Sequence, residues 1–165
     1  MAIKAVIWGL DWTFKNNLHL LQITNALQGM SAMNIPQIII SNLSKVDLKK
    51  ALKKNQWNNF FIYTQWKEKY HYCKPESRAL IPAVSILFAR NVSRNEILFC
   101  GDGYDDFKMA QSYGEIRFAA IVGEILKDRW VEITTPKKIT STNDLSTLPM
   151  IIEDVTLLPD IIKEI

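Results

Sequence analysis

The chain has 165 residues, of which 48% are hydrophobic and 22% charged, with six glycines and six prolines. This composition excludes disordered, collagen-like and linker-rich proteins, and the length predicts a single domain over residues 1–165. Twenty Lys and Arg against seventeen Asp and Glu leave a net charge of only +3, so the overall charge indicates no partner.

Short apolar runs alternate with longer amphipathic segments along the chain. The runs cover residues 5–8, 38–40, 60–63, 97–100 and 118–122, and the candidate helices cover about 17–33, 44–55, 77–92 and 104–112. Most runs are continuously apolar, which is typical of strands that are covered on both faces. The alternation predicts an α/β fold, a doubly wound three-layer parallel sheet.

The C-terminal part is less regular. Residues 131–134 and 138–142 are predicted to be short strands, and Pro82, further upstream, is expected to start or kink the third helix. A closing helix is expected around the apolar residues Leu148, Met150, Ile151 and Ile152.

Targeting signals and disulfide patterns are not found in the sequence. The N-terminus lacks a long apolar segment, and no stretch reaches the roughly 20 apolar residues that a membrane-spanning helix needs. Two cysteines, Cys73 and Cys100, make neither a disulfide framework nor a zinc site. We therefore expect a reduced, cytoplasmic protein without a membrane partner.

One segment concentrates positive charge, namely Lys45, Lys49, Lys50, Lys53 and Lys54. Apolar residues are interleaved with these lysines at helical spacing, which predicts a helix with one solvated, basic face. The alternative is a contact with nucleic acid or with a phosphoprotein. The sequence does not strongly indicate binding of nucleic acid.

Candidate site residues directly follow the predicted strands. In an open parallel sheet, ligands bind just beyond the carboxyl ends of the strands, which is where these residues lie. Carboxylates from two loops suit Mg²⁺, while hydroxyl groups and a lysine suit the oxygens of a phosphate group. The residues concerned are Gly9, Asp11, Thr13, Ser41, Asn42, Lys74, Asp102, Asp105 and Asp106.

Four motifs in this order resemble the haloacid dehalogenase (HAD) superfamily of aspartyl-nucleophile phosphohydrolases. They read AVIWGLDWTF, IIISN, Lys-Pro at position 74, and ILFCGDGYDD. The resemblance implies a Rossmann-like HAD fold and Mg²⁺-dependent hydrolysis of phosphomonoesters. It also implies that Asp11 is the general acid/base and that Lys74 stabilises the transferring group. The implied phosphate contacts are Thr13, Ser41, Asn42 and Lys74, and the implied metal ligands are Asp102, Asp106, the Asp11 backbone carbonyl and, as a substitute, Asp105.

The first motif departs from the family at Gly9, where the family has its nucleophilic Asp. Glycine has no side chain, so the covalent intermediate cannot form by the family's route. Gly9 is either native or the result of a single-base change from an Asp codon during cloning or sequencing. The sequence therefore predicts an impaired phosphohydrolase or, alternatively, a catalytically inactive module that binds phosphate and metal. A phosphoacceptor receiver domain is a third, weaker interpretation.

The spacing of the motifs leaves no room for a cap domain. Thirty positions separate Asp11 from Ser41, and 33 separate Ser41 from Lys74, which the predicted helices and strand fill. We expect an open site that suits a large phosphorylated substrate. A neighbouring subunit of a homo-oligomer is the alternative source of a lid.

Overall fold

Six parallel strands form one sheet in the computed structural model, which describes residues 2–121, 123, 127–134 and 150–165. The strands are β1 (Ala5–Gly9), β2 (Gln37–Ile40), β3 (Tyr63–Gln65), β4 (Ile97–Gly101), β5 (Arg117–Ile121) and β6 (Met150–Ile152). They lie in the order β3-β2-β1-β4-β5-β6. The chain thus moves outward from β1 to one edge and then from β4 to the other. The topological switch point, where such sheets bind ligands, lies between β1 and β4.

Helices cover both faces of this sheet, as the predicted three-layer α/β fold requires. They are α1 (Asp11–Asn16), α2 (Leu20–Ala32), α3 (Lys45–Lys54), α4 (Ile81–Phe88), α5 (Tyr104–Tyr113), α6 (Lys127–Thr134) and α7 (Leu158–Glu164). Residues 6 and 8 of β1 pack with α2, α3 and α7, whereas residues 5 and 7 pack with α4, α5 and α6. Strand β1 is therefore buried on both faces, which explains its uninterrupted apolar sequence.

A buried polar contact ties β1, β2 and α2 together on one of these faces. The Trp8 indole Nε1–H donates to Gln37 Oε1 at 3.0 Å, and Gln37 Nε2 donates to the Leu27 carbonyl oxygen at 3.0 Å. Gln37 Nε2 also lies 3.2 Å from Ser31 Oγ. Both Trp8 and Gln37 are almost completely buried, so each group depends on the other for its hydrogen bonds.

Two predicted elements differ in type from those in the structure. Residues 131–134 belong to helix α6, where the preceding Trp130 packs on Phe107 and Phe118, so tertiary packing outweighs the local strand propensity. Residues 150–152 form strand β6, paired with β5, and the closing helix is α7. The predicted strand 138–142 and Leu148 lie outside the described residues.

Other predicted elements have shifted boundaries. Strand β3 starts at Tyr63, because Phe60 and Phe61 pack on the core from the turn that follows Trp57. The helix expected over 77–92 is a 3₁₀ turn (Ser77–Leu80) followed by α4, and Pro82 lies in the first turn of α4, as predicted. Helix α1, directly after β1, was not predicted.

No additional domain interrupts the sheet within the described residues 2–121. Only α1 and α2 lie between β1 and β2, and the chain between β2 and β4 forms α3, β3, short 3₁₀ turns and α4. The predicted absence of an inserted cap is confirmed for this stretch. None of the helices in the described segments is both long and apolar enough to cross a bilayer.

We predict that Gln37→Leu lowers the free energy of unfolding by about 1–3 kcal/mol, because it leaves the buried Trp8 N–H without an acceptor. Chemical denaturation monitored by circular dichroism measures the change. Gln28→Leu, the same substitution at an exposed position of α2, serves as the control. The double variant Trp8→Phe/Gln37→Leu should lose less free energy of unfolding than the two single variants lose together. Losses that simply add would contradict the dependence of Trp8 and Gln37 on each other.

Candidate active site

The carboxyl ends of β1, β2 and β4 bring together residues that are far apart in the sequence. Helix α1 begins at Asp11, two residues after β1 ends at Gly9, and α5 begins at Tyr104, three residues after β4 ends. The Asp102 backbone N–H donates to the Gly9 carbonyl oxygen at 3.1 Å and fixes these two ends against each other. The site therefore forms at the switch point of the sheet.

Lys74 is the central cation of the site. Its side chain is 2% exposed, and its Nζ lies 2.7 Å from Asp106 Oδ1 and 3.0 Å from Asp11 Oδ2. Burial lowers the pKa of Lys74, but the nearby carboxylates of Asp106 and Asp11 outweigh burial and raise it overall. The Lys74 ammonium therefore stays protonated across the physiological range.

Asn42 positions the backbone of Lys74. Its Nδ2 donates to the Lys74 carbonyl oxygen at 2.8 Å, and the Lys74 N–H donates to Asn42 Oδ1 at 3.1 Å. This reciprocal pair attaches the loop after β3 to the end of β2. In this arrangement the Asn42 side chain serves the protein backbone.

Asp11 is held by donors on both oxygens. Ser41 Oγ donates to Oδ1, and the Asn42 backbone N–H donates to Oδ2 at 2.8 Å. Burial alone would raise the pKa of Asp11, but the Lys74 ammonium and these hydrogen bonds together lower it. Asp11 is thus ionised at neutral pH and, in this arrangement, a poor proton donor.

Asp102 and Asp106 are the two deeply buried carboxylates. Asp102 accepts hydrogen bonds from the backbone N–H groups of Thr13 at 2.8 Å and Trp12 at 3.4 Å. Burial and the neighbouring Asp106 raise the pKa of Asp102 to about 7. Asp106 accepts from Lys74 and, through Oδ2, from the Gly103 N–H at 3.1 Å; burial raises its pKa, and Lys74 opposes that rise.

Gly9 and Gly101 make room for the Asp106 side chain. A Cβ atom at Gly9 would lie 2.2 Å from Asp106 Oδ1 and 2.5 Å from Asp106 Cγ. A Cβ atom at Gly101 would lie 2.5 Å from Asp106 Cβ. The Asp106 carboxylate therefore occupies the space in which a side chain at position 9 would begin.

The structure brings together six of the residues selected from the sequence: Asp11, Ser41, Asn42, Lys74, Asp102 and Asp106. Thr13 is 2% exposed and contributes its backbone N–H to Asp102. Asp105 lies outside the group, because its side chain is exposed while that of the next residue, Asp106, is buried. Sequence reasoning missed Gly101 and the Gly103 N–H donor, although the GDG triplet is a visible signal for close backbone approach.

The donor set fits a divalent cation in chemical type and in charge. Three carboxylates, those of Asp11, Asp102 and Asp106, surround one buried ammonium, so negative charge is in excess. Carboxylate oxygens are the ligands that Mg²⁺ prefers. Within the described residues, no three His, Cys, Asp or Glu side chains already converge on one metal position. A cation at this site would therefore compete with the present hydrogen bonds for these oxygens.

Comparisons with known proteins agree with this fold. A HAD-superfamily hydrolase of subfamily IA from Geobacter sulfurreducens is 15% identical with a TM-score of 0.67, over 97% of this chain and all of the other. A HAD-superfamily hydrolase from Ehrlichia chaffeensis is 13% identical with a TM-score of 0.65, over 99% of this chain and 97% of the other.

A third structure is longer than this chain. It is described as a predicted phosphoglycolate phosphatase from Haemophilus somnus, and the match covers 85% of this chain and 55% of that protein, with 15% identity and a TM-score of 0.63. At these identities the similarity shows a shared fold. No curated protein matches the chain.

The family comparison covers more than half of the chain. The model of the haloacid dehalogenase-like hydrolases matches residues 14–121, which include the second, third and fourth motifs. The match begins one residue after Thr13, so it does not include Gly9. Together with the six-stranded parallel sheet, it shows that this chain belongs to the haloacid dehalogenase-like hydrolase family.

Proposed function

We propose that this chain is a HAD-fold module that binds Mg²⁺ and a phosphorylated ligand without hydrolysing it through an aspartyl-phosphate. One observation carries the proposal: the Asp106 carboxylate fills the space where the nucleophile's side chain would begin. The absence of a side chain at position 9 is thus matched by a neighbour that uses the space.

Loss of the nucleophile greatly lowers the turnover of an enzyme with a covalent mechanism. Removing one from another hydrolase costs about 10⁶-fold in turnover, which corresponds to roughly 8 kcal/mol of activation free energy. In the family's route the bond to phosphorus forms through the side chain at position 9, which Gly9 lacks. Binding of the ligand depends on different groups and survives this loss.

Asp11 is poorly suited to replace the nucleophile. Its Oδ1 accepts from Ser41, and its Oδ2 accepts from the Asn42 N–H and faces Lys74. An attacking oxygen would have to give up these contacts. Its lowered pKa also removes the neutral form that a general acid needs.

Mg²⁺ would be held by Asp102, Asp106 and the backbone carbonyl of Asp11, and when bound it would offset the excess negative charge and contact phosphate oxygens. Lys74 alone cannot attract a phosphate group, because two carboxylates already neutralise it. We therefore expect phosphate binding to require the cation. Ser41 and Lys74 would then be the contacts of the phosphate group, while Asn42 and Thr13 would hold Lys74 and Asp102 in place.

The access to the site favours a large ligand. No cap is inserted in residues 2–121, so no additional domain within this stretch covers the carboxyl edge of the sheet. The phosphorylated group of a macromolecule fits such an edge. A second copy of the chain in a homo-oligomer is the alternative means of covering it.

We predict that the wild-type chain shows no Mg²⁺-dependent hydrolysis of p-nitrophenyl phosphate, because the covalent route lacks its nucleophile. The assay compares wild type, Gly9→Asp and Asp11→Asn. Turnover confined to Gly9→Asp would show that only the nucleophile is missing. Turnover by the wild type that disappears in Asp11→Asn would overturn the proposal and assign the chemistry to Asp11.

We predict that Gly9→Ala destabilises the fold by about 1–3 kcal/mol, because the added Cβ overlaps the Asp106 carboxylate. In an Asp106→Ala background the same substitution should lower the free energy of unfolding by at least about 1 kcal/mol less than it does in the wild type. Urea denaturation of the four proteins measures this coupling. Equal costs in the two backgrounds would show that Asp106 does not fill the space at Gly9.

We predict that Mg²⁺ raises the melting temperature more at about pH 8 than at about pH 5.5. The folded pKa of Asp102 is raised from 3.8 to about 7, so protonation of Asp102 stabilises the metal-free fold, and this stabilisation is lost as pH rises through about 7. Protons thus compete with the cation below that pH.

The matched variants are Asp102→Asn and Asp105→Asn, which remove one carboxylate at a buried and at an exposed position. Thermal unfolding with and without MgCl₂ should show the pH-dependent shift in Asp105→Asn and its loss in Asp102→Asn. Circular dichroism verifies that both variants fold. A shift that survives in Asp102→Asn and is lost in Asp105→Asn would contradict the assignment.

A further inference from the structure

Positive charge is concentrated in one stretch of the sequence. Residues 44–73 contain seven Lys and two Asp or Glu, a surplus of five, whereas the whole chain has a surplus of three. The rest of the chain is therefore net negative. Such asymmetry within one domain indicates a surface that binds an anionic partner.

The fold gathers part of this charge on aromatic rings. Lys69 Nζ lies 4.0 Å from the centroid of the Tyr63 ring and 4.6 Å from that of Trp66. Lys45 Nζ, from the first residue of α3, lies 5.0 Å from the same Trp66 ring. Tyr70 and Tyr72 stack on each other beside them, with centroids 5.5 Å apart and an angle of 6°. The aromatic-basic surface is defined by Lys45, Tyr63, Trp66, Lys69, Tyr70 and Tyr72.

These two ammonium groups lack an acidic counterpart. Among the described residues, no carboxylate lies within ion-pair distance of Lys45 or Lys69, and the one hydrogen bond of Lys69 Nζ is to the Thr64 carbonyl oxygen at 2.9 Å. Partial burial and the neighbouring Lys45 lower the pKa of Lys69. The fold thus holds like charges together where an incoming anion would relieve their repulsion.

The four rings are partly exposed. All four are half-buried; Tyr63, Trp66 and Tyr72 pack against the core, Tyr70 stacks on Tyr72, and part of each ring remains accessible to solvent. The Tyr63 and Tyr70 hydroxyl groups lie 3.0 Å apart, which further fixes the orientation of these rings. Rings held in this way are available for stacking without a large loss of side-chain entropy.

Further lysines extend the surface along α3. Lys45, Lys49 and Lys53 follow each other at four-residue intervals, which places them on one face of the helix with a rise of about 6 Å between neighbours. Asp47, the acidic residue of α3, accepts a hydrogen bond from Ser44 at the start of the helix. The lysines of this face form no ion pair within the described residues.

The surface is continuous with the candidate active site. The Lys67 N–H donates to the Leu43 carbonyl oxygen at 3.0 Å, which joins the loop after β3 to the loop after β2. Tyr72 precedes Lys74 by two residues, and Lys45 follows Ser41 by four. Both loops leave the same carboxyl edge of the sheet.

From these contacts we infer that the aromatic-basic surface binds single-stranded nucleic acid. Repeated phosphates match the ammonium groups of Lys45, Lys69 and the α3 face, and unpaired bases match the partly exposed rings. An acidic peptide would satisfy the lysines but would supply no flat group to stack on the exposed parts of the rings. This inference is independent of the proposed metal site, because it uses none of its side chains.

Fluorescence anisotropy with a labelled oligo(dT) of about 12 nucleotides tests the inference. Binding should weaken with salt, and Lys45→Gln/Lys69→Gln should reduce the slope of log K against log[salt] by about 1.4, since about 0.7 is expected per phosphate contact. Trp66→Leu should weaken binding about tenfold through lost stacking, with a smaller change in that slope.

Lys108→Gln/Lys163→Gln removes the same charge at exposed positions outside the surface and should leave binding unchanged. Circular dichroism verifies the fold of every variant. Equal losses in the two double variants would overturn the inference, because they would show a nonspecific charge effect. Equal or tighter binding of labelled poly-glutamate, or of phosphatidylserine vesicles, would also overturn it and assign the surface to an acidic protein or a membrane.

Discussion

The buried ammonium of Lys74 is the constraint on which the carboxyl edge of the sheet depends. Removing an ion from water costs several kcal/mol even after the protein relaxes, so Lys74 requires carboxylates close by. Asp11, at the start of α1, and Asp106, in the first turn of α5, supply them at 3.0 and 2.7 Å. Because each partner comes from a different strand end, the ion pairs fix the loops after β1, β3 and β4 against one another. The reciprocal hydrogen bonds of Asn42 add the end of β2.

One ammonium group cannot neutralise the charge of three carboxylates. The local environment of each carboxylate therefore decides how readily it is protonated. Asp11 has the most donors and stays ionised, whereas burial and proximity to Asp106 raise the pKa of Asp102 to about 7. In a covalent phosphohydrolase of this family, position 9 would add a fourth carboxylate at the same point. With Gly9 this position carries no charge, and the Asp106 carboxylate lies where a Cβ atom at position 9 would be. A site with three carboxylates rather than four has less mutual repulsion among like charges.

The sequence predicts the centre of this fold better than its edges. Strands β1, β2 and β4 lie within one residue of their predicted positions, because burial on both faces requires an uninterrupted apolar run. Strand β6 pairs on one side only, and its three residues carry too little pattern to distinguish a strand from a helix. For the site, the motifs identify which residues meet at the sheet edge. They do not give side-chain directions, so the position of the Asp106 carboxylate over Gly9 and the exposure of Asp105 become visible only in three dimensions.

The candidate site and the aromatic-basic surface lie along one edge of the molecule and differ in net charge. Lys45 and Lys69 have no carboxylate partner within the described residues, whereas Lys74 has two. A phosphate group near this edge would therefore be attracted to Lys45 and Lys69 and repelled by the candidate site, where negative charge is in excess. A divalent cation bound to the carboxylates would end this repulsion. A polyanionic strand would then bind the aromatic-basic surface without metal. One of its phosphates would reach the candidate site only after the cation had bound.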